Sequence, residues 1–317
     1  MMENYTYNSL MLQMERLNIS EDYVHAVFVV VFFTYMFIMV ANAGITLLIF
    51  INKNLHQPMF LLYCNLSLND ILGNCVMIPR LLSNMLMSER IINYNECVVQ
   101  AFFSHLYGTA AHTVLMIMAF DRYVAICNPL HYTTIMTSKM VWKLSLSAWG
   151  VGFVLVGILI GLSVRLNRCR TLITNLYCDN ASLFKLSCDS VLINNVYGLT
   201  FTVVLLTSSI SSIVLTYTKI TVICLTSKNK SLNKKALKTC STHLTVYLIM
   251  FICGMMIIVL HRFPQFSYHR KVCAILFHIV PGILNPIIYG TQSAEILKAL
   301  SKLLRISQKN RLCDDVK

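Results

Sequence analysis

The chain has 317 residues, 56% of them hydrophobic and only 12% charged, with a mean hydropathy of +0.65. That apolar excess is too large for a water-soluble domain of this length and is expected of a multi-spanning membrane protein. The net charge of +13 needs no nucleic acid to explain it, because Lys and Arg gather on one set of loops between apolar stretches.

A polar leader, residues 1–23, carries Glu3, Glu15, Glu21 and Asp22 and no basic run, so the first apolar stretch reads as a retained span. Seven stretches reach the roughly 20 residues a helix needs to cross hydrocarbon. They are Val24–Ile51, Pro58–Met87, Val98–Cys127, Met140–Val164, Val191–Leu225, Ala236–Leu260 and Val272–Tyr289. Backbone groups in lipid must be paired internally, so each should be a helix, and no period-two alternation supports a barrel. The predicted fold is all-α: one seven-helix membrane bundle over 24–290. Residues 291–317 form a helix and tail, in which Ile296, Leu297, Leu300, Leu303 and Leu304 recur at helical spacing. Lys298, Lys302, Arg305 and Lys309 supply the polar side. This predicts a short amphipathic eighth helix lying on the inner leaflet. The charge distribution places the N-terminus outside and the C-terminus in the cytoplasm. The run Lys228, Lys230, Lys234, Lys235 and Lys238, between spans five and six, suits leaflet contact or docking of a protein partner.

Twelve cysteines divide by location. Cys97, Cys169, Cys178 and Cys188 fall in outer segments, where oxidation is permitted, and four cysteines allow three pairings. The others read as packing thiols. Asn4, Asn18 and Asn180 head outward-facing glycosylation sequons, whereas those at Asn65 and Asn229 fall in a span and an inner loop and should stay bare.

Ionisable residues inside a membrane are costly and mark working parts. Asp121-Arg122-Tyr123 lies at the inner end of the third span, an acid and a base side by side. A solvated helix end with Arg122 snorkelling to the headgroups is the plainer alternative. Asp70 lies inside the second span, either as a structural group held by Asn42 and Asn285 or as part of an ion site. Asn285-Pro286-Ile287-Ile288-Tyr289 closes the seventh span, where Pro281 and Pro286 allow a bend. His105 and His112, on the third span, read as packed histidines or, for His105, as a ligand contact.

Taken in order, Asn42, Asp70, Cys97, Asp121-Arg122-Tyr123, Trp149 and Asn285 to Tyr289 resemble a rhodopsin-like (class A) G-protein-coupled receptor. Longer strings resemble the odorant receptors within that class. They include Leu55 to Phe60, Met118 to Tyr132, Tyr177-Cys178-Asp179, Lys185 to Cys188, Thr216-Tyr217, Lys235 to Leu244 and Pro281 to Pro286. Phe120 and His261-Arg262-Phe263 resemble the fish-like, class I branch, associated with water-borne odorants. Three positions depart from the family: Ala41 before Asn42, Met250-Phe251-Ile252 in the sixth span, and Ala111 in the third. Ala111 stands where odorant receptors usually carry a glutamate, so a polar site with Asp70 is poorer and no sodium ion is assigned.

The resemblance implies an odorant-activated receptor in the plasma membrane of olfactory cilia, coupled to a Gs-type heterotrimeric G protein that raises cAMP. Its partners would be a small-molecule odorant, the G protein and the lipid bilayer, with no cofactor, metal or nucleic acid. It implies a Cys97–Cys178 bridge, which leaves Cys169–Cys188 as the second. Asp121 would hold Arg122 at rest, with Tyr217 and Tyr289 as partners once it is released. Counting along the family's helices places the ligand among Ser104, His105, Gly108, Thr109, Phe201, Thr202, Leu205, Gly254 and Ile258. Arg262 would stand at the pocket mouth, where its guanidinium could anchor a carboxylate; snorkelling or pairing with Asp179 or Glu96 is the alternative.

Other classes fit less well. A non-olfactory class A receptor for a small molecule or peptide is the nearest; an amine receptor would carry an aspartate at the position of Ser104. A transporter should show paired broken helices in matching halves, and an enzyme a catalytic motif. Neither is present in the sequence.

Overall fold

The computed structural model describes residues 7–17, 19–87, 89–226, 230–293 and 295–302. In chain order come strand β1 (Met11–Met14), α1 (Glu21–Ile51), α2 (Pro58–Leu86), β2 (Ile91–Asn93) and α3 (Tyr94–Cys127). There follow α4 (Tyr132–Ile135), α5 (Ser138–Val164), β3 (Leu172–Ile173), α6 (Asn180–Phe184), α7 (Leu192–Thr226), α8 (Lys230–Leu260) and α9 (Ser267–Gln292). Seven of these helices are long and apolar enough to cross a membrane, and they fall on the seven predicted spans. The ends differ where local caps decide them. Asn93 Oδ1 accepts from the Asn95 amide at 2.9 Å and starts α3 four residues before Val98. Thr137 Oγ1 accepts from the Met140 amide at 3.2 Å and starts α5 at Ser138.

Helix α3 is central, packing on α2, α5, α7 and α8, while α9 closes the ring against α1, α2 and α8. An apolar core fills the end of the bundle that carries Arg122, around Tyr63, Leu115, Tyr217, Tyr247 and Tyr289. Close approach there needs a glycine: a Cβ on Gly73 of α2 would collide with the Tyr107 ring of α3.

The two prolines of α9 each release a carbonyl four residues upstream, because proline has no amide proton to give. Pro281 releases Phe277, and the Tyr107 hydroxyl donates to that oxygen at 3.2 Å. Pro286 releases Gly282, and Asn42 Nδ2 of α1 donates to it at 3.0 Å. A buried carbonyl left unpaired would cost about 1–3 kcal/mol, and both freed carbonyls are satisfied by side chains from neighbouring helices. Asn42 is therefore bound to α9 backbone rather than to Asp70.

The opposite end is capped by structure that the sequence reading did not anticipate. The leader is not a simple polar lead-in: β1 is the central strand of a three-stranded sheet ordered β2-β1-β3, antiparallel to β2 and parallel to β3. Leu12 and Met14 alternate inward, but four residues are too short for their period to register. Lys271 of α9, almost wholly buried, donates to the Arg16 carbonyl at 3.1 Å and pairs with Glu15 at 2.9 Å. The cap also holds the bridges Cys97–Cys178 and Cys169–Cys188, with Cα separations of 5.3 and 5.8 Å.

At the other end, residues 295–302 are helical, with Ile296 buried and Leu297 and Leu300 exposed. Leu303, Leu304, Arg305, Lys309 and Lys228 lie outside the described residues, as do Asn4 and Asn18.

Candidate functional site

Between α3, α7, α8 and α9, beneath the loop that follows α5, lies a cavity of about 450 Å³. That volume lies within the range of small-molecule sites. Ser104, His105, Gly108 and Thr109 of α3, Phe201, Thr202 and Leu205 of α7, and Gly254 and Ile258 of α8 all line it. Arg262, just past α8, stands at its rim. The structure thus brings together all ten residues that the sequence placed around a pocket. Their spacing explains why: residues three and four apart on a helix share one face.

Sequence reasoning missed the roof and the α9 wall. Tyr177, Asp179, Asn180 and Lys185 of the loop line the cavity, as do Phe277 and His278 of α9. A signal existed for the loop residues, since Tyr177 and Asp179 flank a cysteine bridged to α3. None existed for α9.

The roof is organised by Asp179. Its Oδ1 accepts from the Ser182 amide at 2.7 Å, capping α6, and its Oδ2 accepts from Asn175 Nδ2 at 3.2 Å. His261 Nε2 lies 3.5 Å from the same Oδ2. Burial alone would raise the Asp179 carboxyl, but His261, Ser182 and His105 together hold it below the usual carboxylate range. His261 is pushed down, first by burial and then by the cations Lys185, Arg270 and Arg262, against the pull of Asp179. Geometry agrees: Arg270 Nη1 lies 2.9 Å from His261 Nδ1 and can only donate, so that nitrogen is unprotonated. Arg270 also donates to the Thr174 carbonyl at 2.7 Å, fastening loop to helix. Burial, assisted by Arg270 and Arg262 and opposed by Asp179, likewise lowers the Lys185 ammonium.

Two expectations are corrected here. Asn180 is no glycosylation acceptor in this fold: it is buried, accepts from the Ser163 hydroxyl at 2.6 Å, and its amide donates to His105 Nε2 at 3.0 Å. A sequon records three residue types and nothing about burial. Arg262 pairs with neither Asp179 nor Glu96 among the described residues; its neighbour His261 takes Asp179. Arg262 itself is exposed at the cavity rim.

The far end of the bundle holds the ion pair. Arg122 Nε donates to Asp121 Oδ2 at 3.0 Å, and its Nη2 contacts the same oxygen at 2.5 Å. The Tyr132 hydroxyl of α4 donates to Asp121 Oδ1 at 2.9 Å. Burial and the adjacent carboxylate push the Tyr132 phenol up, so it remains a donor. Tyr217 is hydrogen-bonded to His243 Nδ1 rather than to Arg122. Tyr289 stacks at a tilt on Tyr63, with ring centroids 4.5 Å apart. A small void beside Arg122 is bounded by Met59, Leu62, Met118, Asp121, His243 and Tyr289. Tyr123 receives Lys219 Nζ over its ring at 5.7 Å. Between the two ends, Asn285 Nδ2 donates to Asp70 Oδ2 at 2.7 Å, with Pro286 beside it in α9. Among the described residues, no group of three or more His, Cys, Asp or Glu side chains is placed to hold a metal ion.

The family model for olfactory receptors matches residues 31–307. The chain belongs to the olfactory receptor family. Human olfactory receptor 52N5 is similar to it at 33% identity over 276 residues, covering 86% of this chain and 85% of that one. Human olfactory receptor 4Q2 is 35% identical over 280 residues, 87% of each chain. Mouse olfactory receptor 5K17 is 33% identical over 273 residues, 86% of this chain and 85% of its own. With seven apolar helices, this olfactory receptor is a multi-pass membrane protein, a receptor and not an enzyme.

Proposed function

We propose that this olfactory receptor binds a small, water-soluble odorant bearing a negative group in the cavity between α3, α7, α8 and α9. Binding releases Arg122 and activates a Gs-type G protein, raising cAMP. The disulfide end faces outward, the Arg122 end faces the cytoplasm, and the receptor works in the cilia of olfactory neurons.

The observation that carries the ligand reading is the charge balance of the rim. Arg262 and Lys185 both line the cavity, while Asp179, the one carboxylate among the described lining residues, is already engaged by Ser182, Asn175 and His261. An incoming carboxylate would meet a guanidinium able to form two parallel charge-assisted bonds. An ammonium ligand would meet two cations at the rim and an acid already occupied.

The ligand acts by binding one arrangement of the helices better than the other. Arg122, freed from Asp121, turns to Tyr217 and Tyr289, both of which lie around the void beside it or bond its lining. The test is cAMP output in cells given a panel of acids and their methyl esters. Gly108→Trp should abolish responses at normal surface level, and Arg262→Ala should weaken the acids more than the esters. Equal weakening of both, or of neither, sinks the anion anchor.

A further inference from the structure

Among the described residues, Phe277 of α9 alone belongs both to the cavity lining and to the apolar core at the Arg122 end. Its ring lies between two glycines. A Cβ built on Gly108 of α3 would sit 3.6 Å from the ring, and one on Gly254 of α8 would sit 3.5 Å from it. At these two positions α3 and α8 present only a hydrogen, so the ring fills the gap between them. Tyr107 holds it from α3, edge-on at 5.6 Å between centroids, and the Tyr107 hydroxyl also binds the Phe277 carbonyl that Pro281 releases. Side chain and backbone are thus anchored to the same neighbour.

We propose that the Phe277 ring closes the cavity toward the inner core and fixes the longest ligand this receptor accepts. This rests on the cavity being the odorant site. A ligand methylene reaching that level must push the ring into a packed core, and interiors at that density resist added volume. With glycines facing it from both sides, the ring is the part of this wall that a longer ligand meets; His112, which also lines the cavity one turn deeper on α3, is itself packed on Tyr247. The limit on ligand length is therefore written in one residue of α9, a helix whose contribution to the pocket the sequence did not disclose.

The test uses straight-chain carboxylic acids from propionic to decanoic acid, with the matching primary alcohols, on cells reporting cAMP. Phe277→Ala should move the best ligand to a longer homologue, with a gain of about tenfold in potency for each methylene newly accommodated. Phe277→Leu should shift it the same way by less, and guards against failure of the alanine variant to fold. A second measurement needs no agonist: Phe277→Cys should react with a membrane-impermeant methanethiosulfonate reagent, applied at the disulfide side, beyond the labelling of the unsubstituted receptor. No extra labelling overturns the proposal. An unmoved length optimum in well-expressed variants overturns it too. If Gly108→Trp silences the receptor in that case, the cavity stands as the odorant site and only the role of Phe277 falls. If responses survive Gly108→Trp, both fall.

Discussion

Replacing Tyr132 by Phe should raise signalling in the absence of odorant, and the size of the rise follows from the geometry at Asp121. That carboxylate is 1% exposed and accepts from Arg122 Nε at 3.0 Å and from the Tyr132 hydroxyl at 2.9 Å. A hydrogen bond onto a charged group contributes about 1.5–3 kcal/mol, and each 1.4 kcal/mol is tenfold in an equilibrium. If the bond exists only while Asp121 holds Arg122, its loss shifts the resting equilibrium by about ten- to a hundredfold. An active population of about 1% would then become about 10–50%. Phe keeps the ring, so packing against the core is retained. Asp121→Asn should raise basal output at least as far, because it strips Arg122 of its partner. The full cost of about 3–5 kcal/mol for breaking a buried pair is discounted here, since the Arg122 side chain is 21% exposed. Basal cAMP normalised to surface receptor is the assay. Unchanged basal output in both variants at matched surface level refutes the lock; unchanged output in Tyr132→Phe alone removes Tyr132 from it.

Gly73→Ala should lower surface expression, because its methyl would overlap the Tyr107 ring; overpacking of this kind costs about 1–3 kcal/mol, and a thermal melt of purified receptor should show it. Asn42→Leu should destabilise by about 1–3 kcal/mol through the orphaned Gly282 carbonyl, whereas Asn42→Gln, which keeps a donor, should lose less in the same melt. Acid should loosen the cap. His261 sits below its ordinary value in the fold, so from about pH 6.5 downward the unfolded chain takes up a proton the folded one refuses, and stability falls. Asp179, also lowered, loses its contribution as pH drops through its folded value, in the same direction. Melting temperature should therefore decline below neutrality, and His261→Asn should flatten the upper part of that decline.

The spans and the ion pair were legible because each is written locally: twenty apolar residues, or an acid beside a base, need no tertiary context. The helical lining of the cavity was legible only through the family resemblance, which supplied the anchors Arg122, Tyr217 and Phe251 from which each helix was counted. What failed was information carried between distant segments. Nothing in Met11 to Met14 names Ile91 or Leu172 as its partners. Prolines 281 and 286 announced missing backbone bonds in the seventh span, but not that Tyr107 and Asn42 would supply the donors. The tripeptide at Asn180 carried a modification signal that burial contradicts.

The place of β1 in its sheet has a bearing on how the receptor is made. The strand precedes all seven helices, yet it is the middle of three, and its partners follow at Ile91–Asn93 and Leu172–Ile173. During synthesis its first partner arrives only after α2, and its other edge must wait unpaired until α5 has been threaded and the loop beyond it has emerged. Such long-range pairing is slow, and an exposed strand edge is an invitation to wrong partners or to chaperones. The cap thus joins the leader to segments made much later, the third strand after α5 and Lys271 of α9, so it closes late in assembly. Damage to the leader should show itself first as receptor retained inside the cell, well before any odorant is lost from its repertoire.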